Sequence, residues 1–202
     1  MLKSAGHNVT TIELAASGIN PIQVQEIRQI SQYYEPLMTF MESLPPNEKV
    51  ILVGHSLGGV SISVAMEKLP HKISVAVFVT AYVLSQNLTY PAILQEQARR
   101  NISSLDTQSF FFDGPNKPAT ARMVGPKFMA SRMYQLSPPE VPKIFIISKS
   151  DNLITEDLQK WMIERSGPFA EMKVIKDSDH MVMFSKPEKL ASILLKIANN
   201  TI

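Results

Sequence analysis

Five consecutive residues, Gly54-His55-Ser56-Leu57-Gly58, set a serine hydroxyl where acyl-transfer chemistry needs one. The pattern G-x-S-x-G does this when a buried strand runs into it and a helix leaves it. Lys49 to Val53 (KVILV) is an almost unbroken apolar run, as expected of a strand covered on both faces, and Val60 to Leu69 reads as a helix. The turn between them is tight and holds the serine in a strained backbone. Glycine two residues before and two after lets neighbouring backbone approach where a Cβ would clash. The hydroxyl then stands at the C-terminal end of the sheet, and the helix N-terminus behind it favours developing negative charge.

A serine at its own pKa is a poor nucleophile and needs a base. Of the four histidines, His7 opens an early strand-like stretch, and His71 follows Leu69-Pro70 at a helix exit. His55 adjoins the serine and is expected to point away from it. His180 lies in Asp177-Ser178-Asp179-His180, just past the last strand-like run, and is the candidate base. The orienting acid should follow a strand between serine and histidine. Lys143 to Ser148 (KIFIIS) is such a strand, and Asp151 comes directly after it. Its carboxylate would accept from the imidazole, fix the tautomer and stabilise the imidazolium. Asp157 reads as an exposed helix residue. Asp177 and Asp179 stand too close to His180 to face its ring easily. Serine, then aspartate, then histidine is the chain order of α/β-hydrolases.

The elements around these residues alternate between strand and helix, which predicts a mostly parallel sheet with helices on both faces. His7 to Leu14 (HNVTTIEL) reads as a short strand and Val24 to Leu44 as a helix stopped by Pro45 and Pro46. Ile73 to Thr80 (ISVAVFVT) and Met172 to Ile175 (MKVI) read as further buried strands, and Pro187 to Asn199 as an amphipathic helix with its proline in the first turn. From Tyr82 to Glu140 the strand pattern is lost and only helical pieces remain, at Ala92 to Arg100 and Lys127 to Tyr134. An insertion this long in a compact domain is usually functional, so residues 82–140 are expected to form a cap over the sheet of a single domain spanning 1–202.

Composition narrows the function. The 202 residues are 45% hydrophobic and 19% charged with a net charge of +2, too small to imply nucleic acid or an anionic membrane as partner. There is no cysteine, so disulfides and thiolate metal sites are excluded. No stretch has the apolar length of a signal peptide or a membrane span, so a cytoplasmic location is expected. No metal-ligand cluster and no phosphate-binding glycine loop stands out, and no cofactor is expected. Oligomeric state is open, a homodimer included.

Several segments carry a resemblance. LKSAGHNVTTIELAASGI, YEPLMTFMESLPPNEKVILVGHSLGG, AMEKLPHKISVAVFVTA, GPKFMASRMYQLSPPE and DSDHMVM resemble the plant methylesterases, the family of the salicylic-acid-binding esterases and a relation of the hydroxynitrile lyases. The resemblance implies an α/β-hydrolase fold and hydrolysis of small methyl esters such as methyl salicylate, methyl jasmonate or methyl indole-acetate, in plant hormone metabolism. It implies Ser56 as nucleophile, Asp151 as acid and His180 as base, with the Leu57 amide as one oxyanion donor. Substrate contacts are expected from Tyr82, Phe110 and Phe128. The lyases carry lysine after the catalytic histidine and a small residue after the serine. Here those positions are Met181 and Leu57, which favours the esterases.

Two departures from the family pattern shape the expectation of activity. Family members open with a buried strand ending in His-Gly, which donates a second oxyanion N–H. This sequence opens after that point, at Met1-Leu2-Lys3-Ser4-Ala5-Gly6-His7. One lost donor costs on the order of 3 kcal/mol, or roughly a hundred- to thousandfold in rate. The cap is also shortened, since Tyr134-Gln135-Leu136 runs almost directly into Lys143-Ile144-Phe145. The expectation is therefore a methylesterase that is inactive or weakly active. A fully active small-ester carboxylesterase, a lyase-like protein and a non-catalytic hormone-binding protein are the alternatives.

Overall fold

The computed structural model describes residues 1–100, 102 and 141–201. Four parallel strands, β1 (Val50–Ser56), β2 (Ile73–Ala81), β3 (Lys143–Ser148) and β4 (Glu171–Ile175), lie in the order β1-β2-β3-β4. The helices are α1 (Ile30–Ser43), α2 (Gly58–Lys68), α3 (Tyr90–Arg99), α4 (Glu156–Arg165), α5 (Val182–Ser185) and α6 (Pro187–Thr201). None of them is long and apolar enough to cross a membrane.

The alternation of β2 builds the two layers of core. Ala76 and Phe78 face α1 and α2, where Leu37, Met41, Ile62 and Ala65 pack with Phe145. Val75, Val77 and Val79 face the other way and join Ile144, Ile146, Ile193 and Ile197 beneath α6. This is the period-two pattern of a strand covered on both faces. A third cluster gathers Val60, Tyr82, Leu88, Ile93, Ile154, Leu158 and Met162 from α2, α3, α4 and the segments between them. Because all four strands run the same way, the turns after β1, β2, β3 and β4 emerge on one edge.

Several sequence expectations are corrected. Among the described residues, the stretch from His7 to Leu14 pairs with no strand. Its β-branched residues suit a pleated surface, but without a neighbouring ladder they take no regular secondary structure. Ile12 and Leu14 simply pack on the first core. The helix expected from Val24 begins only at Ile30, after a single 3₁₀ turn at Val24–Glu26. There the Gln32 side chain accepts from the amides of Arg28 and Gln29 and so marks the true start. KVILV and MKVI are not doubly covered, because among the described residues β1 and β4 are the edge strands. Val53 is 46% exposed, Met172 58% and Val174 46%. An apolar run reports hydrophobicity, whereas place in the sheet decides coverage.

The helix expected at Ala92 to Arg100 is α3, begun by Thr89, whose hydroxyl accepts from the Ala92 amide at 3.3 Å. The remainder of the expected cap, with Phe110, Phe128 and the stretch from Lys127 to Tyr134, lies outside the described residues.

Two glycines fix how α2 meets the sheet. A Cβ on Gly54 would stand 2.9 Å from the Gly58 carbonyl oxygen, and one on Gly59 only 2.1 Å from the Tyr82 carbonyl oxygen. Gly58 itself has open space around its would-be Cβ, so the second close approach belongs to Gly59. Gly59→Ala is expected to cost about 3 kcal/mol of stability, because backbone and not a flexible side chain blocks the new methyl. Urea unfolding beside a Gly58→Ala control checks this.

Candidate active site

Ser56 ends β1 with φ of +53°, the left-handed region that a residue with a Cβ enters only at a cost. The strain follows from the chain turning at once from β1 into α2. Leu57, already in right-handed helical conformation, stands just ahead of α2. Its amide therefore belongs to the first turn, where backbone N–H groups lack intrahelical acceptors.

The Ser56 Oγ lies 3.0 Å from His180 Nε2, and His180 Nδ1 lies 2.7 Å from Asp151 Oδ2. Residues 124 positions apart in the chain thus meet across the edge of the sheet. A carboxylate can only accept, so Nδ1 carries the proton and the Nε2 lone pair faces the serine hydroxyl. Neither Asp177 nor Asp179 supplies the ring's carboxylate partner; Asp151 does.

The acid is the most elaborately held of the three. Asp151 Oδ1 accepts from the amides of Leu153 and Ile154 at 2.7 and 2.8 Å. Oδ2 accepts from Thr80 Oγ1 at 2.5 Å as well as from His180. Burial alone would push this carboxyl up, but the bonds from His180, Thr80 and Ile154 outweigh it and hold the carboxyl below its ordinary range. The loop that carries it is clamped by buried Gln159, whose amide donates to the carbonyls of Ser148 and Ile154 and whose carbonyl accepts from the Ser148 amide. Ser148 Oγ lies within hydrogen-bond range of the carbonyls of Ser178 and Asp179, tying the acid loop to the loop that ends in His180.

His55 does not stand idle. Its Nε2 donates to the His180 carbonyl at 2.7 Å, and the two rings lie 4.7 Å apart. Burial, and then the neighbouring His180 ring, push the His55 imidazole below its ordinary pKa. The sequence holds no signal for this contact, since its partner is 125 residues away. Thr80 was equally silent in the sequence, being one β-branched residue in a β-branched run.

The expected substrate residue Tyr82 donates its backbone amide to the Ser56 carbonyl at 3.1 Å. Its ring packs against Tyr90, and its hydroxyl donates to Gln97 Oε1 at 3.3 Å. Burial pushes that hydroxyl up to about 12. Gln97 in turn donates to the Leu153 carbonyl, beside the acid.

His55 and Asp151 bias the fold against acid. Unfolded, they take protons around their ordinary values of 6.5 and 3.8; folded, each does so only at lower pH. The unfolded chain then binds more protons, so stability is full above pH 6.5, declines as pH falls below it, and declines again below 3.8. Urea midpoints followed from pH 8 downward should trace this fall, and His55→Gln should flatten its upper part.

Residues 8–193 match the model of the alpha/beta hydrolase family. Methyl jasmonate esterase 1 of Vitis vinifera is 44% identical over 233 residues, covering 98% of this chain and 89% of that protein. Methylesterase 3 of Arabidopsis thaliana is 40% identical, covering 98% and 88%. The crystal structure of polyneuridine aldehyde esterase superposes with a TM-score of 0.76 at 33% identity, covering 98% of this chain and 90% of that one. The alignment of 233 residues exceeds the 202 of this chain, so the grape relative carries residues within the matched span that this chain lacks.

Proposed function

As this chain belongs to the plant methylesterase family of the α/β-hydrolases, we propose that it hydrolyses methyl esters of small carboxylic acids. The observation that carries the reading is the row from the Ser56 hydroxyl through His180 to Asp151, at 3.0 and 2.7 Å.

In this reading Ser56 Oγ attacks the ester carbonyl carbon while His180 Nε2 takes its proton. The carbonyl oxygen becomes an oxyanion stabilised by the Leu57 amide and the N-terminus of α2. When the tetrahedral intermediate collapses, the C–O bond to the methoxy group breaks and His180 returns its proton, releasing methanol. A water then attacks the acyl-enzyme with His180 again as base. The acid leaves, and the serine hydroxyl is restored. Asp151 keeps Nδ1 protonated throughout and stabilises the imidazolium that forms twice per cycle.

The name of the grape relative suggests methyl jasmonate as the first ester to try. Purified chain should be assayed with p-nitrophenyl acetate, following p-nitrophenol, and with methyl jasmonate, methyl salicylate and methyl indole-acetate, following methanol and acid release. Release of methanol and acid in equal amounts supports the reading. A folded protein that turns over none of these overturns it. A second reading, a member that binds a hormone-like acid with little turnover, is favoured by the shorter matched span relative to the grape protein. It expects no hydrolysis but a melting temperature raised by jasmonate, salicylate or indole-acetate.

A further inference from the structure

Thr80 is the extra residue of a bulge in β2. Along β1 and β2 the register runs Gly54 to Phe78 and His55 to Val79, then jumps so that Ser56 faces Ala81. Thr80 is left without an opposite residue, directly beside the nucleophile. Its φ is +36°, an outlier for a β-branched residue. Bulges next to reactive sites re-aim a side chain, and here the re-aimed group is a hydroxyl. It is 0% exposed and donates to Asp151 Oδ2, the same oxygen that accepts the Nδ1–H of His180. β2 skips a second residue, Ser74, at its other end, and there the hydroxyl caps the carbonyl of Val50 on the adjacent strand. At Thr80 the hydroxyl instead crosses to the loop after β3.

We propose that Thr80 is a positioning residue for the acid: the bulge exists to deliver its hydroxyl to Asp151 Oδ2, fixing which oxygen faces His180 and in what plane. Two backbone amides already hold Oδ1. They set the pivot of the carboxylate, and Thr80 sets its rotation about that pivot. This rests on the esterase reading for its consequence in turnover, while the contact itself does not.

The test compares Thr80→Ser, which keeps the hydroxyl, with Thr80→Val, which keeps the shape, and Thr80→Gly, which relieves the positive φ but has no hydroxyl. Valine and glycine should lower kcat about tenfold with KM unchanged, since a hydrogen bond to a charged group is worth that much. Serine should stay within about twofold. Wild-type kcat in folded Thr80→Val or Thr80→Gly overturns the proposal. If the wild type proves to have no turnover, the esterase reading fails, and the downfield Nδ1–H proton of His180, seen by NMR, still decides on Thr80. Retention of that resonance in Thr80→Ser with broadening or loss in the other variants supports the role. An unchanged resonance in all three refutes it.

Discussion

Ser56→Ala should lose ester hydrolysis by on the order of 10⁴-fold or to the limit of detection, while the protein stays folded. The hydroxyl oxygen is the group His180 Nε2 faces at 3.0 Å, and an alanine methyl offers nothing to deprotonate. Alanine keeps a Cβ at φ of +53°, so the strain of the turn persists. Ser56→Gly removes both hydroxyl and Cβ. It should be as inactive as the alanine variant, yet more stable by about 1 kcal/mol. Chromogenic-ester assays and urea unfolding of the pair separate chemistry from strain. A loss under about tenfold in both variants would mean that another group attacks. Equal stability would mean that the turn stores no strain at this residue.

Asp151→Asn should cost about 10⁴-fold in kcat with little change in fold, through the proton it misplaces. An asparagine can keep its carbonyl on the amides of Leu153 and Ile154, where Oδ1 now sits. Its NH₂ then occupies the place of Oδ2. Thr80 can turn its hydroxyl and accept instead of donate. His180 has no such choice: Nδ1 must become an acceptor, its proton moves to Nε2, and the serine meets an N–H where it needs a lone pair. Steady-state kinetics with a circular dichroism control measures this. A loss under tenfold would show that the carboxylate does not govern the tautomer.

The legible parts of the molecule were those written in contiguous residues. KIFIIS and ISVAVFVT gave central strands because four to six apolar residues bounded by turns have few other uses. The order of serine, aspartate and histidine, each just past a strand-like run, located three side chains that a parallel sheet brings to one edge. Edge exposure of β1 and β4 was hidden, since hydrophobicity is local and neighbours are not. His7 to Leu14 misled for the same reason, as a strand is a relation between two segments. The bonds of His55 and Thr80 were hidden because each depends on a turn or bulge whose geometry appears only when a distant loop arrives.

The placement of the reactive groups across the sheet has a further consequence. Ser56 ends β1 and His180 lies past β4, the two outer described strands, while Thr80 lies within β2 and Asp151 past β3, the inner pair. Neighbouring strands in a sheet are rotated by roughly 20° from one another. A small change in that rotation, summed from β1 to β4, would change the Ser56–His180 separation more than the spacing of His180 and Asp151, whose strands are neighbours. If Ser56 and His180 exchange a proton as proposed, sheet coiling bears on the distance it crosses, and mutations deep in the core would change that distance without touching either side chain.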